Sequence, residues 1–366
     1  MRSQRLHATY TINLELPEEE RWSEVIRRER TLARGLIKEA LAMVKDFPKF
    51  FRKPVKTLYR IVGGRYTGEM QAWAHALRVG EEDFLLTQCS YELSHLPESD
   101  GVFSGTLKEG KKAYDFLRSL RKKVLGCTSG IKHARGHGMV HLRSLDWPLK
   151  KGAKATRIFR FIDGDREFIA VGMVGMVGVL SGMVTGGYSA TINHAQPDTD
   201  PDITALGPLF LLREVLETCD TYEEAVYMLK HSPVSTHVFF TVCGIKAGQA
   251  CTIERGKKNA SIRKHGRGTH AQGNLYINRP FKHLNAKAHN LTEEQEEEGD
   301  WISLFDDSTA RVEKMESELK SFTPTKDLAS FGSVLRKDPI RSDTTIHQIV
   351  FRPRTGDLCV WAVLSD

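Results

Sequence analysis

The sequence has no CxxC pair and no Cys/His run at metal-ligand spacing. Its six cysteines, Cys89, Cys127, Cys219, Cys243, Cys251 and Cys359, are scattered over 366 residues. That distribution excludes a zinc module and a small disulfide scaffold. No window reaches the roughly 18 consecutive apolar residues of a membrane span. The opening MRSQRLHATYTINLEL lacks the apolar core of a signal peptide. The expectation is a soluble chain that is cytoplasmic by default; a chain whose leader has been removed, lysosomal or secreted, would read the same way. Internal repeats are also absent. The run VGMVGMVG has the glycine spacing of a dinucleotide loop but lies inside an apolar strand-like stretch with no helix opening after it, so close packing is the better reading.

What is present is globular: 40% apolar and 27% charged residues, enough for one large or two ordinary domains. The net charge of +7 is uneven, because residues 1–126 carry 23 Lys+Arg against 17 Asp+Glu. Basic residues in RWSEVIRRERTLARGLIKEALAMVKDFPKFFRKPVKTLYR alternate with acidic and apolar ones at helical spacing. This describes an amphipathic helix facing a core or a lipid surface, not a nucleic-acid binder.

HATYTINLEL alternates apolar and polar residues and predicts a strand; helical patterning follows from Glu18 to about Leu125. From Cys127 onward the pattern changes to strands: GMVHLRSLD, ATRIFRFI, FIAVGMVGMVGVLSGMV, GYSATINH, HVFFTVCGI, ACTIERG, TIHQIVFRP and LCVWAVLS. Helices are expected at about 207–230 and 306–321, and the acidic run at 293–300 reads as a solvated loop or helix start. The whole is α+β, a helical N-terminal portion followed by largely antiparallel sheets.

The chemistry centres on LGCTSGIKHARGHGMVHLRSLDWPL at 125–149. A cysteine nucleophile works as a thiolate and needs a base, and a cysteine that becomes a new N-terminus carries that base as its own α-amine. Gly126, without a Cβ, leaves the preceding carbonyl accessible for such a cut. The glycine-rich ARGHG turn returns a strand carrying Arg143 and Asp146, so residues 127–131 can pair with 139–147. Arg143 would then lower the thiol pKa, and Asp146 would accept a hydrogen bond from the α-amine. An ordinary hairpin with an inert buried cysteine and a surface Arg/Asp pair is compatible with the same residues.

The string CTS, followed by HLRSLDWP with Arg143 and Asp146 16 and 19 positions after Cys127, resembles the acid ceramidase and N-acylethanolamine acid amidase family. That family is grouped with choloylglycine hydrolases and penicillin V acylases among the N-terminal-nucleophile hydrolases. Leu142 and Ser144 stand where the family has glycine and asparagine. YTINLELPEEERW, GEMQAWAHAL, GGYSATINH and LFLLREVLETCDTYEEAVYML resemble further family segments in the same order. The resemblance implies an αββα sandwich and a precursor that cuts itself between Gly126 and Cys127, giving an α chain (1–126, the helical pro-segment) and a β chain (127–366). It also implies Asn274 of QGNLYIN as oxyanion donor, with Gly273 where threonine is usual and Asn278 as the fallback, and Arg311 of DDSTARVEKM as a second site arginine. A plain polar loop and a helix-surface ion pair are the alternatives for Asn274 and Arg311. Where the family has glutamate, this chain has Asn193 and His194. His194 reads as a general acid or, more simply, as a surface-loop histidine.

The implied activity is hydrolysis of a lipid amide, an N-acylethanolamine or ceramide-like long-chain acyl amide, through an acyl-thioester on Cys127. Acyl transfer to an amine is the variant, and a lipid-binding relative without catalysis is the other class. No cofactor and no metal are called for. The expected partners are the lipid amide, a membrane or micelle surface met through PKFFRKPVKTLYR, and the two chains for each other after cleavage; nucleic acid is not among them.

Overall fold

The computed structural model describes residues 1–43, 64–93, 95, 126–197, 201–202, 204–265, 268–289 and 303–364. The stretch PKFFRKPVKTLYR and the acidic run at 293–300 lie outside them. Among the described residues, fourteen strands form two sheets. The first has six strands in the order β1 (Arg2–Leu6), β14 (Asp357–Leu364), β13 (Thr345–Arg352), β4 (Gly138–Asp146), β3 (Gly126–Ala134) and β12 (Thr269–Gln272). The second has eight: β11 (Ala260–Lys264), β10 (Ala250–Arg255), β9 (Val238–Gly244), β8 (Tyr188–His194), β7 (Ser181–Val184), β6 (Arg166–Met173), β5 (Thr156–Asp163) and β2 (Thr9–Asn13). All described pairings are antiparallel except β2 with β5.

The described helices of eight residues or more are α1 (Ser23–Met43), α2 (Thr67–Leu77), α3 (Glu81–Gln88), α5 (Pro208–Thr218), α6 (Tyr222–His231) and α7 (Leu304–Ser321), with a single turn, α4 (Ser90–Leu93), after α3. Helix α7 packs on the outside of the six-stranded sheet, where Met315 and Leu319 come so close to Gly130 that a Cβ there would lie 2.8 Å from the Met315 sulfur. Helix α5 covers the other sheet, with Leu216 against Gly182. The two sheets face one another, and Ser129 on β3 bonds Thr191 on β8 across the gap.

The fold agrees with the α+β expectation and corrects it in detail. The strand expected at HATYTINLEL is β2, and a second strand, β1, precedes it; these N-terminal strands occupy an edge of each sheet: β1 against β14 and β2 against β5. Residues 1–126 therefore do not form a purely helical appendage. The long strand expected over FIAVGMVGMVGVLSGMV is β6 and β7, separated by a turn in which Gly175 adopts φ +85°. The one helix expected over 207–230 is two. The break comes at Thr221, whose side chain accepts from the Glu224 N–H while Glu224 reaches back to the Thr221 N–H, a capping box that starts α6 afresh. The large apolar core joins the N-terminal portion to the eight-stranded sheet, with Trp22 5.3 Å from Phe159 and 5.9 Å from Phe161, ring centre to ring centre.

Candidate active site

The hairpin that carries the cysteine is local and sequence-determined. Gly136 and Gly138 take φ +80° and +74° in the turn, a region that other residues enter only with strain. The pairing runs Gly126 to Asp146, Cys127 to Leu145 and Ser129 to Arg143. Cys127 and Arg143 are thus diagonal neighbours on the face towards the second sheet. The Arg143 guanidinium donates from Nη2 to Cys127 Sγ at 3.0 Å. Both side chains are buried.

Strand β12 ends at Gln272, opposite Ser129. Beyond it, the N–H and C=O of Cys127 point to a side with no strand, and side chains take over the missing ladder bonds. The Cys127 N–H donates to Asn274 Oδ1 at 3.1 Å. Its carbonyl accepts from Arg311 Nη1 at 2.7 Å and from Asn193 Nδ2 at 3.1 Å. Arg311 also donates to Thr128 Oγ1 at 2.8 Å and Asn274 Oδ1 at 2.9 Å, and is held from behind by Asp307 at 2.7 and 2.9 Å. Asn274 is fixed on its other side, where its N–H donates to Ser308 Oγ at 2.7 Å and its Nδ2 to the His194 carbonyl at 3.0 Å. Gly273 makes that close approach to α7 possible: a Cβ there would fall 2.4 Å from Ser308 Oγ.

The structure therefore brings Cys127, Arg143, Asn274, Arg311 and Asn193 together around one residue. Arg311 is both readings at once, an i,i+4 ion pair with Asp307 and a buried contact to the nucleophile's carbonyl. The intact chain has no free α-amine at Cys127 for Asp146 to meet. Asp146 stands opposite Gly126, on the face away from the thiol, and accepts from Thr345 Oγ1 at 2.5 Å, while the Cys127 N–H goes to Asn274. His194 is corrected from a surface-loop histidine to a buried one at the end of β8, its Nε2 2.9 Å from His95 Nε2. Asn278 lies outside the cluster, its N–H bound to the Glu254 carboxylate at 3.1 Å. Thr128 and Ser129 belong to the CTS string; Ser308 and Thr345 carry no signal of their own, and Asp307 stands four residues before Arg311 in DDSTARVEKM.

Burial pushes the Cys127 thiol above its ordinary pKa, with Arg143 pulling the other way. Burial likewise raises Asp146 against the pull of Arg311 and Thr345. For Arg311 burial disfavours the charge, but Asp307 and Asp146 outweigh it and hold the guanidinium above its usual pKa. Among the described residues no group of His, Cys, Asp and Glu is arranged to hold a metal ion.

The sequence model of the family described as acyl-coenzyme A:6-aminopenicillanic acid acyl-transferase matches residues 137–363. The chain belongs to this family. The match spans Arg143, Asp146, Asn193, Asn274 and Arg311 and begins ten residues after Cys127. Among curated members of the wider acyl-transferase, acid ceramidase and acid amidase group, the chain is 24% identical over 362 residues to the N-acylethanolamine-hydrolyzing acid amidase of Caenorhabditis elegans, covering 95% of this chain and 90% of that protein. It is 24% identical over 277 residues to the acid ceramidase of Mus musculus, spanning 69% of this chain and 64% of that one. Among solved structures, the Caenorhabditis elegans N-acylethanolamine-hydrolyzing acid amidase ortholog aligns with 63% of this chain and 94% of its own at 20% identity and a TM-score of 0.47. Conjugated bile acid hydrolase from Clostridium perfringens aligns with 62% and 86% at 12% identity and a TM-score of 0.40.

Proposed function

We propose that this protein is an N-terminal-cysteine amidase of the αββα Ntn-hydrolase type, formed when the chain cuts itself between Gly126 and Cys127, and that it hydrolyses lipid amides of the N-acylethanolamine or ceramide-like class. The observation that carries the reading is the 3.0 Å contact of Arg143 Nη2 with Cys127 Sγ, beside an N–H and a carbonyl of Cys127 that are both held by side chains. The names of the relatives, an N-acylethanolamine-hydrolyzing acid amidase and acid ceramidases, supply the substrate class.

In self-cleavage, Cys127 Sγ attacks the Gly126 carbonyl carbon and the Gly126–Cys127 C–N bond breaks. The acyl group passes to sulfur and the proton to the new α-amine, and water then hydrolyses the thioester to leave a Gly126 carboxylate and the free thiol. In turnover the same sulfur attacks a substrate amide, the α-amine of Cys127 delivers a proton to the departing amine, and water releases the acyl-thioester. Asn274, its side-chain amide set by Arg311 and the His194 carbonyl, is the proposed oxyanion donor. Arg143 steadies charge on the sulfur, and Asp146 acts on the Gly126 side of the junction. The acyl-transferase description of the family favours one alternative, in which an amine rather than water takes the acyl group from the thioester.

Intact-mass spectrometry of the fresh and incubated protein tests the first step, with Cys127→Ala as control; two chains meeting at 126/127 are expected from the natural sequence alone. A chain that never splits, and whose Cys127→Ala form hydrolyses long-chain amides as well as the parent, would overturn the reading.

A further inference from the structure

The Arg143 guanidinium is fully buried, yet among the described residues no carboxylate accepts from it. Its Nη1 donates to Asn193 Oδ1 at 2.6 Å and reaches Ser129 Oγ at 3.5 Å, and its Nη2 donates to Cys127 Sγ. A buried cation needs an anionic partner. Among the described residues the thiol is the one ionisable group that it bonds, and Asp146 and Arg311 act on the same thiol, the first raising and the second lowering its pKa.

Asn193 creates that situation. Its side chain is fully buried at the meeting point of β8, β3 and the end of β12. The Oδ1 faces two donors, Arg143 Nη1 at 2.6 Å and Ser129 Oγ at 2.9 Å. The Nδ2 faces three carbonyl oxygens, those of Cys127, Gln272 and Gly273, at 3.1, 3.0 and 3.0 Å. This pattern fixes which way the amide points, since a flip would set oxygen against three oxygens. It also disfavours a carboxylate here, whose second oxygen would face the same three carbonyls. The position is built for a neutral group that binds a guanidinium without neutralising it.

We propose that Asn193 is a positioning residue for the Cys127 reaction: it aims Arg143 at the sulfur and, by being uncharged, leaves the guanidinium charge to be balanced by the thiolate. The same amide ties the Cys127 carbonyl to the backbone at 272–273, so the nucleophile and the arm that carries Asn274 are held by one side chain. The proposal rests on the reading of Cys127 as nucleophile, but its test does not depend on turnover.

The ionisation of Cys127 is followed across pH by ultraviolet thiolate absorbance, taken as the difference from Cys127→Ser in each background. Asn193→Ala should move the ionisation up by about one pH unit, a roughly tenfold loss of thiolate at a given pH. In an Arg143→Met background the same substitution should move it by nothing, because Asn193 acts through the guanidinium. Asn193→Asp, close to isosteric, should raise the ionisation at least as far, since the new carboxylate takes the guanidinium for itself. A purely structural role would lower the unfolding temperature and leave the titration in place. An unmoved titration in both variants, or a shift of equal size with and without Arg143, would overturn the proposal. A protein that shows the Arg143-dependent shift but neither splits nor hydrolyses amides would refute the amidase reading and leave this assignment standing.

Discussion

Gly126 stands directly opposite Asp146 across the hairpin, and a Cβ added to Gly126 would lie 3.0 Å from both the Cβ and the Oδ2 of that aspartate. Asp146 cannot easily give way, because Thr345 anchors its other oxygen at 2.5 Å. The glycine is therefore required by its partner as much as by any need for an open carbonyl. Gly126→Ala should slow splitting at 126/127 by about tenfold or more, corresponding to about 1.4 kcal/mol or more of added strain on the way to the tetrahedral intermediate. Timed intact-mass spectra decide it; splitting at the parent rate would show that the contact relaxes without cost.

Arg311 supplies five hydrogen bonds to Cys127, Thr128, Asn274 and Asp307 from a single planar group. A lysine keeps the charge but cannot span the Cys127 carbonyl and Asn274 Oδ1 with a rigid fork. Arg311→Lys is expected to reduce amide hydrolysis by about 10²-fold, the size of a lost oxyanion-site element, with the folded state retained. Steady-state rates alongside circular dichroism check this. Full activity would return Arg311 to the status of a helix-surface ion pair.

The hairpin was legible in the sequence because everything in it is local. Two glycines set the turn, the turn sets the register, and the register places Arg143 beside Cys127. The rest of the site depends on contacts that no spacing encodes. Asn193 meets Cys127 across 66 residues, Asn274 across 147 and Arg311 across 184. Asn274 and Arg311 are legible only through the family resemblance, and Asn193 only as a departure from it. Strand β1 was missed because RSQRL lies at a sheet edge and stays largely exposed, so it lacks the alternation that marks a half-buried strand. The two-helix structure of 208–231 was readable after all, since Thr221 and Glu224 spell a capping box in the sequence.

Glu69 of α2 and Arg213 of α5 form a doubly bonded ion pair, 2.6 Å on each arm, with both side chains fully buried. Trp22 and Arg21 bond the same carboxylate at 2.5 and 3.0 Å, and the Arg213 guanidinium lies 4.2 Å over the Tyr66 ring. Burial opposes the charge on Glu69, but Arg213 and its other donors hold its pKa below the ordinary value. This cluster joins the two portions that cleavage at 126/127 would separate, and all six cysteines are free. The chains should stay together after cleavage without a disulfide, co-eluting on size exclusion under native conditions. Glu69→Gln leaves Arg213 buried and unbalanced, at a cost of about 3–5 kcal/mol. Loss of co-elution, or a large fall in unfolding temperature, is expected from it; an unchanged complex would mean that the edge strands β1 and β2 suffice.

Four histidines, the buried His141, His270 and His347 and the half-buried His265, resist protonation. Burial, with Arg143 adding to it, pushes His141 and His347 down to about 3. Burial and Arg263 push His265 down to about 4 and His270 well below the usual 6.5. The unfolded chain takes up these protons near pH 6.5 and the folded chain only far below it. Stability is therefore fully present above about pH 6.5 and is lost on acidification, by up to about 1.4 kcal/mol per pH unit for each histidine. Glu92 works in the opposite sense, because burial raises it to about 7 and the fold gains stability as it is protonated. Burial raises Glu18, Asp146 and Glu254 too, which act with Glu92, while Glu29 and Glu69 are lowered and act with the four imidazoles. The unfolding temperature is expected to fall from pH 7 to pH 5, and His141→Gln to flatten part of that slope. A temperature that holds or rises over that range would show that the four imidazoles do not govern the acid limb. With the expected slope, the proposed self-cleavage is expected near neutral pH, where the hairpin and its partners are fully assembled.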